Sequence, residues 1–206
     1  MWRTVGLVFL TLGVVPVASA IEEPAFKLLL KDGDYEVRQY APSVVAEVVV
    51  GGDLDTASSR GFRQVAGYIF GGNRAVSAVA AAPESERIAM TAPVVAVPED
   101  RKSLQGANRW RVQFVMPSKY TLATLPHPNN PAVVLREIPG HRTAVVRFSG
   151  FMSEPKVEGK AQELLAWLQA RGMRAMGPPR LLRYDPPWTL PFMRRHEVVF
   201  DVEAKD

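Results

Sequence analysis

Apolar residues recur along this chain with two different periods, and those periods divide it into elements. Phe62, Val65, Ala66 and Ile69 stand at i, i+3, i+4 and i+7, which is one face of a helix. Asp53 or Asp55 can cap its start, and Gly71-Gly72 can end it. Ala161, Leu164, Leu165 and Leu168 repeat the spacing in a second helix, with Ser153 as cap, Pro155 in the first turn and Gly172 as the stop. Elsewhere the pattern is that of strands. Segment 35–40 alternates, 44–50 is rich in β-branched residues, and Trp110, Val112, Phe114 and Met116 line one face. Segments 133–138, 143–148 and 197–202 read the same way. Segment 88–97 is a further strand candidate, in which Pro93 predicts an edge or a bulge. Segments 98–109 and 121–131 are polar or proline-rich loops.

The order is strand, strand, helix, strand, strand, and then the same again. Tyr35-Glu36-Val37-Arg38-Gln39-Tyr40-Ala41-Pro42 has a counterpart in Val134-Leu135-Arg136-Glu137-Ile138-Pro139-Gly140. Each leads through a short turn into a second apolar strand and then a helix. The pattern predicts an α+β fold from two ββαββ-like repeats, at about 33–116 and 132–203, sharing one antiparallel sheet or barrel with a helix on each flank.

Ahead of this domain, Met1-Trp2-Arg3, an apolar run over 5–17 and Ala18-Ser19-Ala20 have the layout of a secretory signal peptide. Cleavage after Ala20 leaves 186 of the 206 residues as a single domain, 21–206. The expected location is outside the cytoplasm, and the periplasm if the host is bacterial. No later segment is apolar enough to cross a membrane. The chain has no cysteine, which excludes disulfides, a lipid anchor through cysteine and covalent heme attachment by C-x-x-C-H. The formal net charge of +4 falls to +3 when Arg3 leaves with the signal, and no Lys/Arg block points to nucleic acid.

The tail carries the chemistry. Tyr184-Asp185-Pro186-Pro187-Trp188-Thr189-Leu190-Pro191-Phe192 is a proline-stiffened aromatic loop, and Arg194-Arg195-His196-Glu197-Val198 runs from it into a strand. Flat apolar surface beside fixed positive charge suits a flat, apolar, anionic molecule, of which heme is one.

Four stretches resemble the SOUL/heme-binding protein family. They are Tyr35 to Tyr40, Gly61 to Asn73, Ile88-Ala89-Met90-Thr91-Ala92-Pro93-Val94, and the tail from Tyr184 to Val198, with Val146-Arg147-Phe148-Ser149-Gly150 as a weaker fifth. The resemblance implies a twisted antiparallel β-barrel of two repeats flanked by two helices. It also implies non-covalent binding of heme or another porphyrin between the first helix and the loop before the last strand, here 54–70 and 184–195. Two positions depart from the family. Gln39 stands where some relatives carry a proposed histidine ligand, and Arg195-His196-Glu197-Val198 replaces the usual Arg-Asn-Glu-Val.

The expected binding residues are Arg60, Phe62, Arg63 and Tyr68 of the first helix and Trp188, Phe192, Arg194 and Arg195 of the loop. Aromatic rings would contact the macrocycle, and guanidinium groups would pair with its carboxylates. Most of the first helix stripe should nevertheless pack on the sheet. His196 is the candidate iron ligand; His127 reads as a surface residue and His141 as a turn residue. Met90, Met152, Met173, Met176 and Met193 read as gap fillers. The expected function is non-enzymatic binding of heme or a related tetrapyrrole. The alternatives are binding of other amphipathic small molecules, or an enzyme acting on a tetrapyrrole or a small ester. For the enzyme the sequence offers no G-x-S-x-G, no H-E-x-x-H, no P-loop and no cysteine nucleophile.

Overall fold

The computed structural model describes residues 21–76, 84–100 and 103–203, so the expected signal segment 1–20 lies outside the described residues. In chain order these residues form β1 (Phe26–Asp32), β2 (Tyr35–Tyr40), β3 (Ser43–Gly51), α1 (Leu54–Ile69), β4 (Asn73–Arg74), β5 (Val94–Pro98), β6 (Arg109–Val115), β7 (His127–Pro128), β8 (Val134–Ile138), β9 (His141–Phe148), α2 (Glu154–Ala170), β10 (Ala175–Arg183) and β11 (His196–Val202). Nine strands make one antiparallel sheet in the order β1-β2-β9-β11-β10-β5-β6-β3-β8, and β4 pairs with β7. The fold is α+β. The sheet is not closed into the expected barrel, because β1 and β8 remain its edges. Among the described residues no helix is long and apolar enough to cross a membrane.

Connectivity nonetheless bends this sheet over on itself. Ala41-Pro42 joins β2 to β3, and Pro139-Gly140 joins β8 to β9, yet the strands of each joined pair stand six places apart in the sheet. Laid flat, six places would span about 29 Å at the usual strand spacing. Three Cα-to-Cα steps reach at most about 11 Å. The register explains how both conditions are met. Tyr35 faces Val146, Tyr40 faces His141, Ser43 faces Ile138 and Glu47 faces Val134, with no slip across either link. Segments 35–47 and 134–146 are therefore one long ribbon, bent in the middle, whose two ends belong to opposite sides of the sheet. At the bend a Cβ on Gly140 would stand 3.2 Å from the Tyr40 carbonyl oxygen, so glycine allows the approach. With β1 left out, the strand order read from the opposite edge is unchanged when β2, β3, β5 and β6 are exchanged with β8, β9, β10 and β11, and α1 and α2 exchange with them.

Both helices cover the same face. α1 lies on β3 and β6, and α2 lies on β9, β10 and β11. Val65 and Ile69 of α1 and Leu164 and Leu168 of α2 join Trp110, Phe114, Val146 and Val198 in one apolar core. The Asp53 carboxylate accepts from the Thr56 N–H at 2.8 Å and caps α1. Ser153 occupies the cap position of α2 but makes no capping hydrogen bond with its side chain. α1 comes closest to the sheet at Gly61, where a Cβ would stand 2.5 Å from a Val112 methyl carbon.

The face turned away from the helices, inside the bend, is partly ionic. Arg38 of β2 donates to both oxygens of Glu197 of β11, at 2.8 and 3.0 Å, and Glu197 is 0 % exposed. The Tyr184 hydroxyl and the Arg195 guanidinium also donate to Glu197. A second cluster has Glu47 accepting from Gln113 and Arg136. Burial alone would raise the pKa of Glu197. The Arg38 hydrogen bonds and charge, with Arg195 and Tyr184, outweigh it and hold the carboxyl below its ordinary range. Glu36 and Glu47 are likewise held low, burial being overcome by Arg38 and Arg136 respectively.

Four strands were not expected: β1, β10 and the two-residue pair β4 and β7, the last within segment 121–131 that was expected to be loop. Of the expected strand 88–97 only Val94–Pro98 forms, and Pro93 precedes a central strand between β10 and β6 rather than marking an edge. Proline is compatible with that place because it stands before the ladder and interrupts none of its bonds.

Two outcomes follow from this packing. A carboxyl whose folded pKa is depressed contributes stability above its unfolded pKa, near 4.5 here, and loses that contribution as pH falls through the folded value. The urea midpoint should therefore drop steeply as pH is lowered from about 5 to about 3. Glu197→Leu alone should cost about 3–5 kcal/mol at neutral pH, and Arg38→Met with Glu197→Leu should recover part of this and flatten the acid slope. An acid slope unchanged in the double variant would contradict the assignment. Gly61→Ala should destabilise by about 1–3 kcal/mol in the same measurement despite its better helix propensity, because the Val112 side chain is already in place.

Candidate functional site

The loop between β10 and β11 is pinched at its base and braced from within. The Tyr184 N–H donates to the Arg195 carbonyl at 3.3 Å, and the Arg195 N–H donates to the Asp185 carboxylate at 2.6 Å. The Thr189 N–H closes a turn on Pro186, and Pro191–Met193 make a short 3-10 turn. Arg194 reaches back into the loop, donating from Nε to the Thr189 carbonyl at 2.7 Å and from Nη2 to the Pro187 carbonyl. With those carbonyls turned inward, the large side chains face outward. Trp188 is 82 % and Phe192 72 % exposed, and Leu190 and Met193 are exposed beside them. The Gly150 N–H donates to the Pro191 carbonyl at 2.8 Å, which brings Phe151, 74 % exposed, to the same region.

The expected residues separate into three groups. Trp188 and Phe192 offer open apolar surface, as expected. Arg60 and Arg63 are exposed on α1 and have no ion-pair partner among the described residues. Phe62 lies at the edge of its stripe, half-exposed, with its ring tilted on Phe114 at 5.4 Å. The α1 end and the loop base are linked by Arg183, which donates to Asp55 at 3.1 Å.

The second group is not free to meet a ligand. Tyr68 is 1 % exposed and its hydroxyl donates to the Pro126 carbonyl at 2.9 Å, so it is a core residue. Its side chain is covered by the segment after β6 that carries Pro126, and spacing alone cannot distinguish that from a rim position. Arg194 is used as the loop's internal brace. Arg195 pairs with Glu23 at 2.9 Å and with Glu197, and its guanidinium lies 3.6 Å from the centre of the Tyr184 ring. Both arginines, expected to meet ligand carboxylates, are engaged within the protein.

His196 forms the third group. It is 4 % exposed, lies under the loop against the Phe148 ring at 5.5 Å, and neither ring nitrogen has a hydrogen bond of normal geometry. Burial, then Arg183 and Arg194, lower its pKa against the opposing influence of the Gly150 backbone and Asp185. It is a neutral, covered imidazole rather than an open ligand position. Among residues not anticipated, Phe151, Leu190 and Met193 extend the apolar surface; Met193 is exposed and fills no gap. A large apolar residue directly after Ser149-Gly150 was the available signal for Phe151. A separate cavity of about 690 Å³ lies at the bend of the ribbon, and none of the expected residues lines it.

A curled antiparallel sheet, two helices on one face and an outward apolar loop before the last strand define a small α+β domain. The chain belongs to the SOUL heme-binding protein family, whose sequence profile matches residues 21–201. The crystal structure of the EcmrR C-terminal domain is similar with a TM-score of 0.61 at 12 % identity, covering 83 % of this chain and 98 % of that one. A hydrolase from Listeria innocua is similar with a TM-score of 0.54 at 16 % identity, covering 82 % and 92 %. These likenesses are of fold. No curated protein matches the chain.

The covered imidazole has a measurable consequence. A base whose folded pKa lies below its unfolded value, near 6.5, takes up a proton on unfolding, so stability falls as pH drops from about 6.5 toward the folded pKa. Chemical denaturation between pH 7 and 5 should show this fall in the native protein and not in His196→Phe. The same slope in both would show that His196 is not the titrating group.

Proposed function

We propose that this protein holds heme or a related tetrapyrrole, non-covalently and without turnover, on the apolar surface of the 184–195 loop and Phe151. Membership of the SOUL family supports the ligand class. The observation that carries the location is the outward presentation of Trp188 and Phe192 on a loop fixed from within. Large apolar groups gathered on adjoining loops mark binding surfaces, and a rigid aromatic pair loses little freedom when it meets a planar ring. Arg60 and Arg63 of α1, which have no ion pair among the described residues, are the cations suited to the carboxylates, in place of the expected Arg194 and Arg195. On this reading iron adds little, since His196 lies beneath the loop and would reach a metal only if the loop lifted. Gln39 offers no imidazole at the other family position, and its side chain donates to the Tyr40 carbonyl.

We read residues 1–20 as an export signal, so that the ligand is held outside the cytoplasm, in the periplasm of a bacterial host. The exchangeable strand order supports an origin from two repeats.

Spectral titration of residues 21–206 with hemin and with iron-free protoporphyrin tests the proposal. The two should bind with affinities within about threefold of one another, because ring and carboxylates supply the contacts. Trp188→Ala with Phe192→Ala should weaken both by about tenfold or more. Arg60→Glu with Arg63→Glu should do the same at low salt and less so at high salt. No Soret change with hemin, or titrations unaltered in the aromatic double variant, would overturn it.

A further inference from the structure

The cavity at the bend of the ribbon differs in chemistry from the aromatic loop. Its volume, about 690 Å³, is within the range of small-molecule sites. Its walls come from both crossing links, the segment ahead of β1 and the loop after β6, and they are mostly apolar, with Pro42, Val44, Met116 and Ile138 among them. Three glutamates line it, Glu22, Glu23 and Glu137, and no lysine or arginine does. That imbalance is not inherited from the composition, since the chain carries a formal charge of +4.

The three carboxylates are not equivalent. Glu23 is paired with Arg195 at 2.9 Å. Glu22 accepts a hydrogen bond from the Ser118 N–H at 2.8 Å and has no ion pair among the described residues. Glu137 is exposed at the rim and has neither an ion pair nor a side-chain hydrogen bond among the described residues. Of the cations next in sequence to lining residues, Lys119 lies over the Tyr120 ring at 4.7 Å and Arg136 is paired with Glu47 at 2.9 Å. The cavity thus faces its contents with apolar walls and two uncompensated negative charges. An anionic macrocycle would meet like charge here, and a small inorganic cation would leave the apolar walls wet.

We propose that this cavity binds an amphipathic organic cation, an aromatic or aliphatic body of drug size carrying one positive charge. The body fills the apolar space between the crossing links, and the charge lies toward Glu22 and Glu137. The site shares no residue with the tetrapyrrole surface, so either can fail without the other.

Two planar xanthene dyes of opposite charge, cationic rhodamine 6G and anionic fluorescein, separate the possibilities by calorimetric titration of residues 21–206. Rhodamine 6G should bind at least about tenfold more tightly than fluorescein. Glu22→Gln with Glu137→Gln should remove about tenfold of the rhodamine affinity. Ala25→Trp, which sets an indole among the lining residues, should abolish rhodamine binding. Ala25 and Glu137 are exposed, so these changes leave the fold intact. Trp188→Ala should leave rhodamine binding unchanged, and the glutamate variant should leave hemin binding unchanged. Equal affinity for the two dyes, rhodamine binding indifferent to both the glutamate and the Ala25 changes, or its loss in Trp188→Ala would each overturn the proposal.

Discussion

A two-residue link cannot cross a nine-stranded sheet that lies flat, and this chain makes that crossing twice. Ala41-Pro42 and Pro139-Gly140 therefore impose the curvature on which the other features depend. Curvature gives the sheet an inner face with little contact to water. There Arg38 and Glu197, 159 residues apart, meet as a fully enclosed ion pair. Removing two charges from water is expensive, and mutual attraction compensates only when every remaining donor and acceptor is engaged. The extra bonds from Tyr184 and Arg195 meet that condition. Only one register of β2, β9 and β11 brings these groups together, so the pair also selects the pairing of the strands it links.

The same interior fixes the loop outside. Arg195 and Tyr184 stand at the two ends of the 184–195 excursion, and both are held by Glu197. Arg194 then gathers two loop carbonyls inward. Two loop carbonyls are satisfied on the inner side, and Trp188 and Phe192 are left exposed. Exposed aromatic surface on this protein is thus a product of buried charge, and the cavity at the ribbon bend arises from the same curvature.

Much of this architecture was legible in the amino-acid order. The stripes at Phe62–Ile69 and Ala161–Leu168 became α1 and α2, capped at Asp53 and stopped at Gly71 and Gly172, where φ is positive. The strands built on Tyr35, Val44, Trp110, Thr143 and Glu197 also formed where alternation placed them. β10 escaped notice because Gly177-Pro178-Pro179 reads as a loop, and the register shift between Met176 and Arg180 absorbs it. β1 was missed because Leu28-Leu29-Leu30 does not alternate. At the site, aromatic residues in a proline-rich loop were correctly read as surface, whereas the arginines were not. A guanidinium flanking a loop can serve a ligand or the loop's own carbonyls, and no local pattern separates the two. The Arg38–Glu197 pair joins residues from opposite ends of the chain, beyond the reach of any periodicity.

β1 ends one side of the sheet with an unpaired row of backbone groups and three half-exposed leucines, which is the kind of strand on which a second chain can template. Its ladder shifts register between Leu28 and Leu30, and Lys27 and Lys31 flank the irregular stretch. A partner strand would have to reproduce the bulge and bring its own backbone up against two ammonium groups. The edge that the open sheet leaves is thereby a less regular template for a further strand than a flat, uncharged one.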